Sequence, residues 1–365
     1  MREVSYTVSP TRSTILATVL LLLANGPVRA VIMGAGRFDQ LIKNAEIIVK
    51  GRVTGVDKSW FEMIAFKAEV VTVLKSDGGA IPDEVYVEAP APIWPEDLGI
   101  PFAKNQIVLV VLKRAKGKIA AVNNVRAILP ATNNKIHHED SSSIARKVCE
   151  ELKAYLSQIN NEVAKGLVLV LLCQLGSEKD DEIFVPYIKS ANKWLGRAAR
   201  ASLLRLKPTP ERISEAVDDF ANHLSAVSQD NLFWEMYKDV QWSAMCGSFG
   251  MEKDLTDRAV AYLPIYRVLI DKAPNNYQRV YIAIEALKNV GTREDIRRLY
   301  EYVDHKKAWI RHDVLEGLGR ILGMKIKRPL IASYEMPLPP DVEPWEKKTR
   351  SIIERILVDE GLLEK

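Results

Sequence analysis

The sequence predicts an α+β protein of two domains, a small β-barrel of about five strands followed by an α-solenoid of about five helix pairs. Three observations predict it. The hydrophobic period changes near residue 140, from the alternation of strands to the spacing of amphipathic helices. In the first half the alternation slips at Val70-Val71, as a β-bulge makes it do, and short bulged strands fit a closed or half-closed barrel. The second half repeats itself at an offset of 115 residues, which divides into three units of about 38. A chain of 365 residues also exceeds the usual single domain.

Residues 1–30 read as a secretory signal. Arg2 and Arg12 outweigh Glu3, an apolar core runs from Ile15 to Ala24, and Val28-Arg29-Ala30 offers small residues around a cleavage point. Ten apolar residues are too few to span a bilayer as a helix, which needs about 20. Export to the periplasm or the medium is therefore expected; an N-terminal membrane anchor is the alternative. Cleavage would take three Arg and one Glu with it and lower the net charge from +4 to +2. So small an excess argues against a nucleic-acid partner. No later segment is apolar over a membrane-spanning length, the longest run being Gly166 to Cys173.

The first domain covers 31–130. Strands are expected at 45–56, 65–74, 84–88, 106–114 and 118–125, the fourth apolar on both faces from Ile107 to Leu112 and so central. Between the third and fourth lies APAPIWPEDLGIP (89–101), whose four prolines preclude ladder pairing. Trp94 on this stiff loop is either a ligand contact or a plug for the barrel end. Residues 131–142 form a polar linker. Its His137, His138, Glu139 and Asp140 invite a metal reading, but neighbours on a loop rarely converge on one ion, so a solvated linker is expected.

Helix pairs follow over 143–323: 142–156 with 162–175, the unit at 176–206, 209–224 with 229–246, 254–270 with 275–290, and 294–323. Thr209 caps a helix with Pro210 at its first position. The repeat is clearest where GSEKD (176–180) matches GTRED (291–295), a glycine stop followed by an N-cap signal. ANKWLGRAARASLLRL then aligns without gaps on KKAWIRHDVLEGLGRI, which places Trp194 on Trp309 and Arg197 on His312. The tail 324–365 is proline-rich and ends in a helix from about Glu346 to Leu357, suited to capping the last repeat.

The pair 294–323 resembles a HEAT repeat. It has Asp304 near the inter-helix turn, Ile310 and Arg311 opening the second helix with Trp309 before them, and a Leu-Gly ending. The resemblance implies that Arg311 and Asp304 form part of a polar ladder along stacked turns. The 176–206 unit departs from that pattern, with Gly196 where the arginine belongs, Arg197 one place later and no Asp at the turn. In the first half, Ala45, Gly51, Arg52 and Val53 followed by a bulged strand ending Val-Leu-Lys (73–75) resemble the OB-type barrels of exported bacterial proteins. These are distantly similar to netrin-like modules and tissue inhibitors of metalloproteinases. Those inhibitors act through an N-terminal cysteine, and residues 31–148 contain none.

No phosphate loop, nucleophile elbow or His-x-x-x-His pair is present, so no catalytic residue, metal or cofactor is expected. The three cysteines, Cys149, Cys173 and Cys246, lie inside apolar helical patterns and read as buried thiols, with a Cys149–Cys173 bridge as the alternative. On helix 229–246 Phe233, Tyr237, Val240 and Ala244 make a core stripe, which Trp234 and Trp242 leave. Trp234, Trp242, Trp94 and His312 are the candidate partner contacts. Trp194, Arg197, Asp304, Trp309 and Arg311 are assigned to repeat packing. The expected function is a non-enzymatic protein-binding scaffold working outside the cytoplasm. The alternative is an enzyme or enzyme inhibitor with its site at the junction of the barrel loop and the solenoid.

Overall fold

The computed structural model describes residues 38–57, 63–90, 104–115, 118–121, 128–139, 142–176, 178–223, 236–245, 253–272, 277–327, 329 and 342–364. The expected signal segment, the expected loop carrying Trp94, the part of the expected helix 229–246 that carries Trp234, and Cys246 lie outside them. The chain is an α+β protein that divides into two compact units, residues 1–176 and 177–365. Helices 144–156 and 162–175 thus belong to the same unit as the sheet.

In the first unit, helix α1 (Phe38–Asn44) precedes strands β1 (Ile47–Asp57), β2 (Met63–Ser76), β3 (Glu84–Pro90), β4 (Ile107–Ala115), β5 (Lys118–Ala121) and β6 (Ile128–Pro130). Helices α2 (Ile144–Leu156) and α3 (Glu162–Leu175) complete it. The sheet runs β3-β2-β1-β4-β5, antiparallel throughout, with β6 on β4. Its hydrogen-bonded path is open among the described residues, so no closed barrel is formed there, although its two ends, β3 and β5, approach one another. β4 is central as its sequence implies, and Ile107 to Leu112 are all buried.

The bulge falls where the phase slips. Gly51 pairs with Val70 and Lys50 with Thr72, leaving Val71 without an opposite residue. Two further slips occur, at Ile48/Val49 and Val53/Gly55. Gly51 suits the close approach at the Lys50/Gly51 slip, where a β-carbon would lie 3.1 Å from that of Ala68. The bulges twist β1 against β2. Ile47, Val49 and Val53 then share a core with Phe66, Ala68, Val85, Val87, Val108, Val110 and Leu112. On the opposite face Ile48, Leu109 and Val111 are equally buried, and α2 packs against β2. Both α2 and α3 start at side-chain caps, Ser143 and Asn161. Cys149 and Cys173 are buried free thiols.

The second unit is helical: α4 (Lys193–Leu206), α5 (Pro210–His223), α6 (Lys238–Met245), α7 (Lys253–Ala261), α8 (Leu263–Lys272), α9 (Tyr277–Val290), α10 (Ile296–Tyr300), α11 (Ala308–Ile321) and α12 (Val342–Asp359). Neighbouring helices pack in pairs, α4 on α5, α8 on α9 and α10 on α11, while α9 also meets α6 and α11, and α12 meets α11. α4 and α11 are each 14 residues long and begin at 193 and 308, the 115-residue offset of the sequence.

Two expected helices differ. The segment 254–270 is broken at Tyr262, because Pro264 has no N–H and cannot continue a helix through that turn. The first helix of the 176–206 unit is replaced by 3₁₀ turns at Glu178–Ile183 and Val185–Tyr187, the second holding Pro186. Among the described residues no helix is long and apolar enough to cross a membrane.

Candidate functional site: a cationic cavity and two chains of buried charge

β1 carries the first feature. Alternation sends Val49 into the core and Lys50 to the opposite face, toward α2. There the Lys50 ammonium, 4% exposed, donates to Glu151 Oε2 at 2.8 Å and to the Asn134 carbonyl at 2.8 Å. The other oxygen of Glu151 lies 3.1 Å from His138 Nε2, and His138 Nδ1 lies 3.2 Å from Glu150. Glu150 is held in turn by Arg146. A buried ion pair is tolerable only when its remaining hydrogen-bonding capacity is met, and here a histidine and a backbone carbonyl meet it. His138 is therefore not the solvated linker residue expected, since its side chain is 8% exposed.

A cavity of about 420 Å³ opens beside this chain. Lys50, Arg52 and Lys135 bring positive charge to it, and Asn105, Asn133 and Asn134 bring amides. Thr72 adds a hydroxyl, and none of the nine lining residues is acidic. Two of the asparagines are tied down by their backbones. Asn134 N–H donates to Thr132 Oγ1, which also accepts from Gln158. Asn105 adopts a left-handed φ of 73°, which asparagine tolerates better than most residues, and its N–H donates to Val53 O.

The second feature is a series of buried ion pairs between helices of the second unit. Arg197 on α4 meets Asp219 on α5 at 2.8 Å, and Asp219 also accepts from Tyr237. Burial, and then the Asp219 charge, push the Tyr237 hydroxyl well above its ordinary value. Asp239 on α6 joins Arg205 on α4 and Arg258 on α7. Asp295 is fully buried and takes two bonds from Arg267 on α8, while accepting the Thr292 N–H that opens the turn. Burial raises this carboxyl, but Arg267 and the Thr292 amide outweigh it and hold it below its ordinary value. Lys288 on α9 meets Glu285 and Asp313.

The sequence-derived candidates sort clearly against this frame. Trp194 and Trp309 each occupy the second position of their helices, Trp194 under the Arg197 guanidinium and Trp309 edge-on to Tyr281 at 4.7 Å. Arg311 does not pair with Asp304. It makes a two-pronged contact with Glu346 of α12 at 2.6 and 3.1 Å, while Asp304 is held by Arg350 of α12. His312 is fully buried, 2.9 Å from the same Glu346 and edge-on to Trp345, so it offers no surface to a partner. Its role matches that of its repeat equivalent Arg197: each is a basic residue joined to a carboxylate of a later helix. Trp242 is half-buried on α6, apart from the buried stripe Tyr237, Val240 and Ala244.

Lys50, Glu151 and His138 escape the sequence reading, but one signal for them exists. Glu151 falls among Val148, Leu152 and Leu156 on the buried stripe of α2, where a carboxylate needs a buried cation. Among the described residues no group of His, Cys, Asp and Glu is placed to hold a metal ion. No protein-family model, curated protein or solved structure matches the chain.

Proposed function

We propose that the chain is an exported, non-enzymatic binding protein whose helical unit is a HEAT-like stack presenting a surface to a protein partner. The sheet unit is an OB-like half-barrel that adds a second module. The observation that carries the reading is the equivalence of Arg197 and His312. Two positions 115 residues apart, on helices of equal length, each join a carboxylate of the next helix, as repeats stacked on one another would. Such buried pairs help fix which helices adjoin. For the sheet, the strand order and the approach of β3 to β5 support a barrel-like curvature.

Trp242 is the candidate anchor within the described residues, since aromatic side chains dominate interface hot spots. Replacing Trp242 by Ala in the full chain should weaken partner capture from the exported fraction about 30-fold, the equivalent of about 2 kcal/mol, and leave the melting temperature unchanged. A lower melting temperature with capture intact would assign Trp242 to packing instead.

A further inference from the structure

We propose that the cavity beside Lys50 is a binding site for a small organic oxyanion, a carboxylate or phosphate carried on a hydroxylated body. The site lies within the first unit and does not depend on a protein partner bound by the helices.

The volume, about 420 Å³, falls in the ~300–1,000 Å³ range of small-molecule pockets. Its composition then selects the ligand. Three cations with no acid among nine lining residues favour a negative group, and three asparagines with a threonine provide both donors and acceptors for hydroxyls. Val71 and Ile107 give it a partly apolar wall.

The charges differ in what already compensates them. Arg52 shares its charge with Glu69 at 3.2 Å, and Lys50 shares its charge with Glu151. Lys135 has no ion pair among the described residues, so it supplies the uncompensated charge that an anion would neutralise. Lys50 supplies position. An ammonium has three N–H donors, and two of them go to Glu151 and Asn134. The third remains for a ligand in the cavity that Lys50 lines. Because Glu151 is held by His138, and Asn134 by Lys50 and Thr132, this donor cannot swing away as a surface lysine would. A donor fixed before the ligand arrives costs little ordering on binding. Carboxylate and phosphate present the same oxyanion face to such a donor, so the body and the charge must be varied separately.

The test titrates the full chain at low salt with glucuronate, glucose 6-phosphate and glucose, read by calorimetry. Saturable binding of one or both anions, with none for glucose, is expected. Glucuronate alone would identify a carboxylate ligand, and glucose 6-phosphate alone a phosphate ester. Lys135→Glu, at an exposed position, should weaken binding about tenfold, as should Asn133→Asp, while Lys306→Glu in the second unit should leave it unchanged. Binding that persists undiminished in both Lys135→Glu and Asn133→Asp would overturn the assignment. So would equal binding of glucose, or no saturable binding of either anion up to tens of millimolar.

Discussion

Replacing Glu151 by Ala should cost the first unit about 3–5 kcal/mol, read as a shift in its chemical denaturation midpoint. Glu151 is 1% exposed and neutralises a lysine that is 4% exposed. Without it the ammonium keeps only the Asn134 carbonyl, and His138 loses the acceptor at Nε2. Most of the cost lies in the uncompensated charge, not in the lost contact. The double replacement Lys50→Met with Glu151→Leu should therefore recover much of it, because two apolar side chains of similar size can fill the space without desolvating a charge. Lys50→Met alone should behave like the carboxylate deletion. If the double variant were as unstable as the single, the sheet and α2 would be held by the geometry of the pair and not by charge balance.

The second large effect is expected at Glu346. This one carboxylate takes two bonds from Arg311 and one from the fully buried His312, and so joins α12 to α11. Glu346→Ala removes these three bonds and should weaken α12 docking by about 3 kcal/mol. Amide exchange across 342–359 would report it, with protection falling there and holding in α9. Lys347→Ala, which removes an exposed pair with Glu343, should leave protection unchanged.

Acid should act like the mutation. Burial raises Glu346, but the bonds from Arg311 and His312 outweigh it and hold the carboxyl below its ordinary 4.5. A depressed carboxylate stabilises fully above its unfolded value and loses that contribution as pH falls through the folded one. Loosening of α12 should thus begin below about pH 4.5, and Asp304, lowered by Arg350 on the same helix, should act in the same direction.

Local signals in the sequence were informative and long-range ones were not. The bulge at Val71, the central β4, the cap at Thr209 and the 14-residue helices at 193 and 308 all follow from residues close together in the chain. The break at Tyr262 runs against the unbroken helix expected over 254–270, although Pro264 inside that apolar pattern was the local signal for it. Lys50 was not. Its alternation marks it as facing away from Val49, and only the packing of α2, from 101 positions further on, makes that face an interior.

Asp304 and Arg311 show the same limit. They are close in sequence and suit each other, yet α12 returns from residue 342 onward with Glu346 and Arg350 and gives each a different partner. His312 is the instructive case. Aligned with Arg197 it looked like an unexplained exception; in the fold both positions do the same work through different side chains.

The central claim, that the helical unit exists to hold a protein partner, is tested most directly by crosslinking the full chain in the exported fraction and mapping the links by mass spectrometry. The account predicts a reproducible partner whose links concentrate on residues 178–364. Absence of any specific partner, or links confined to residues 38–176, would contradict it.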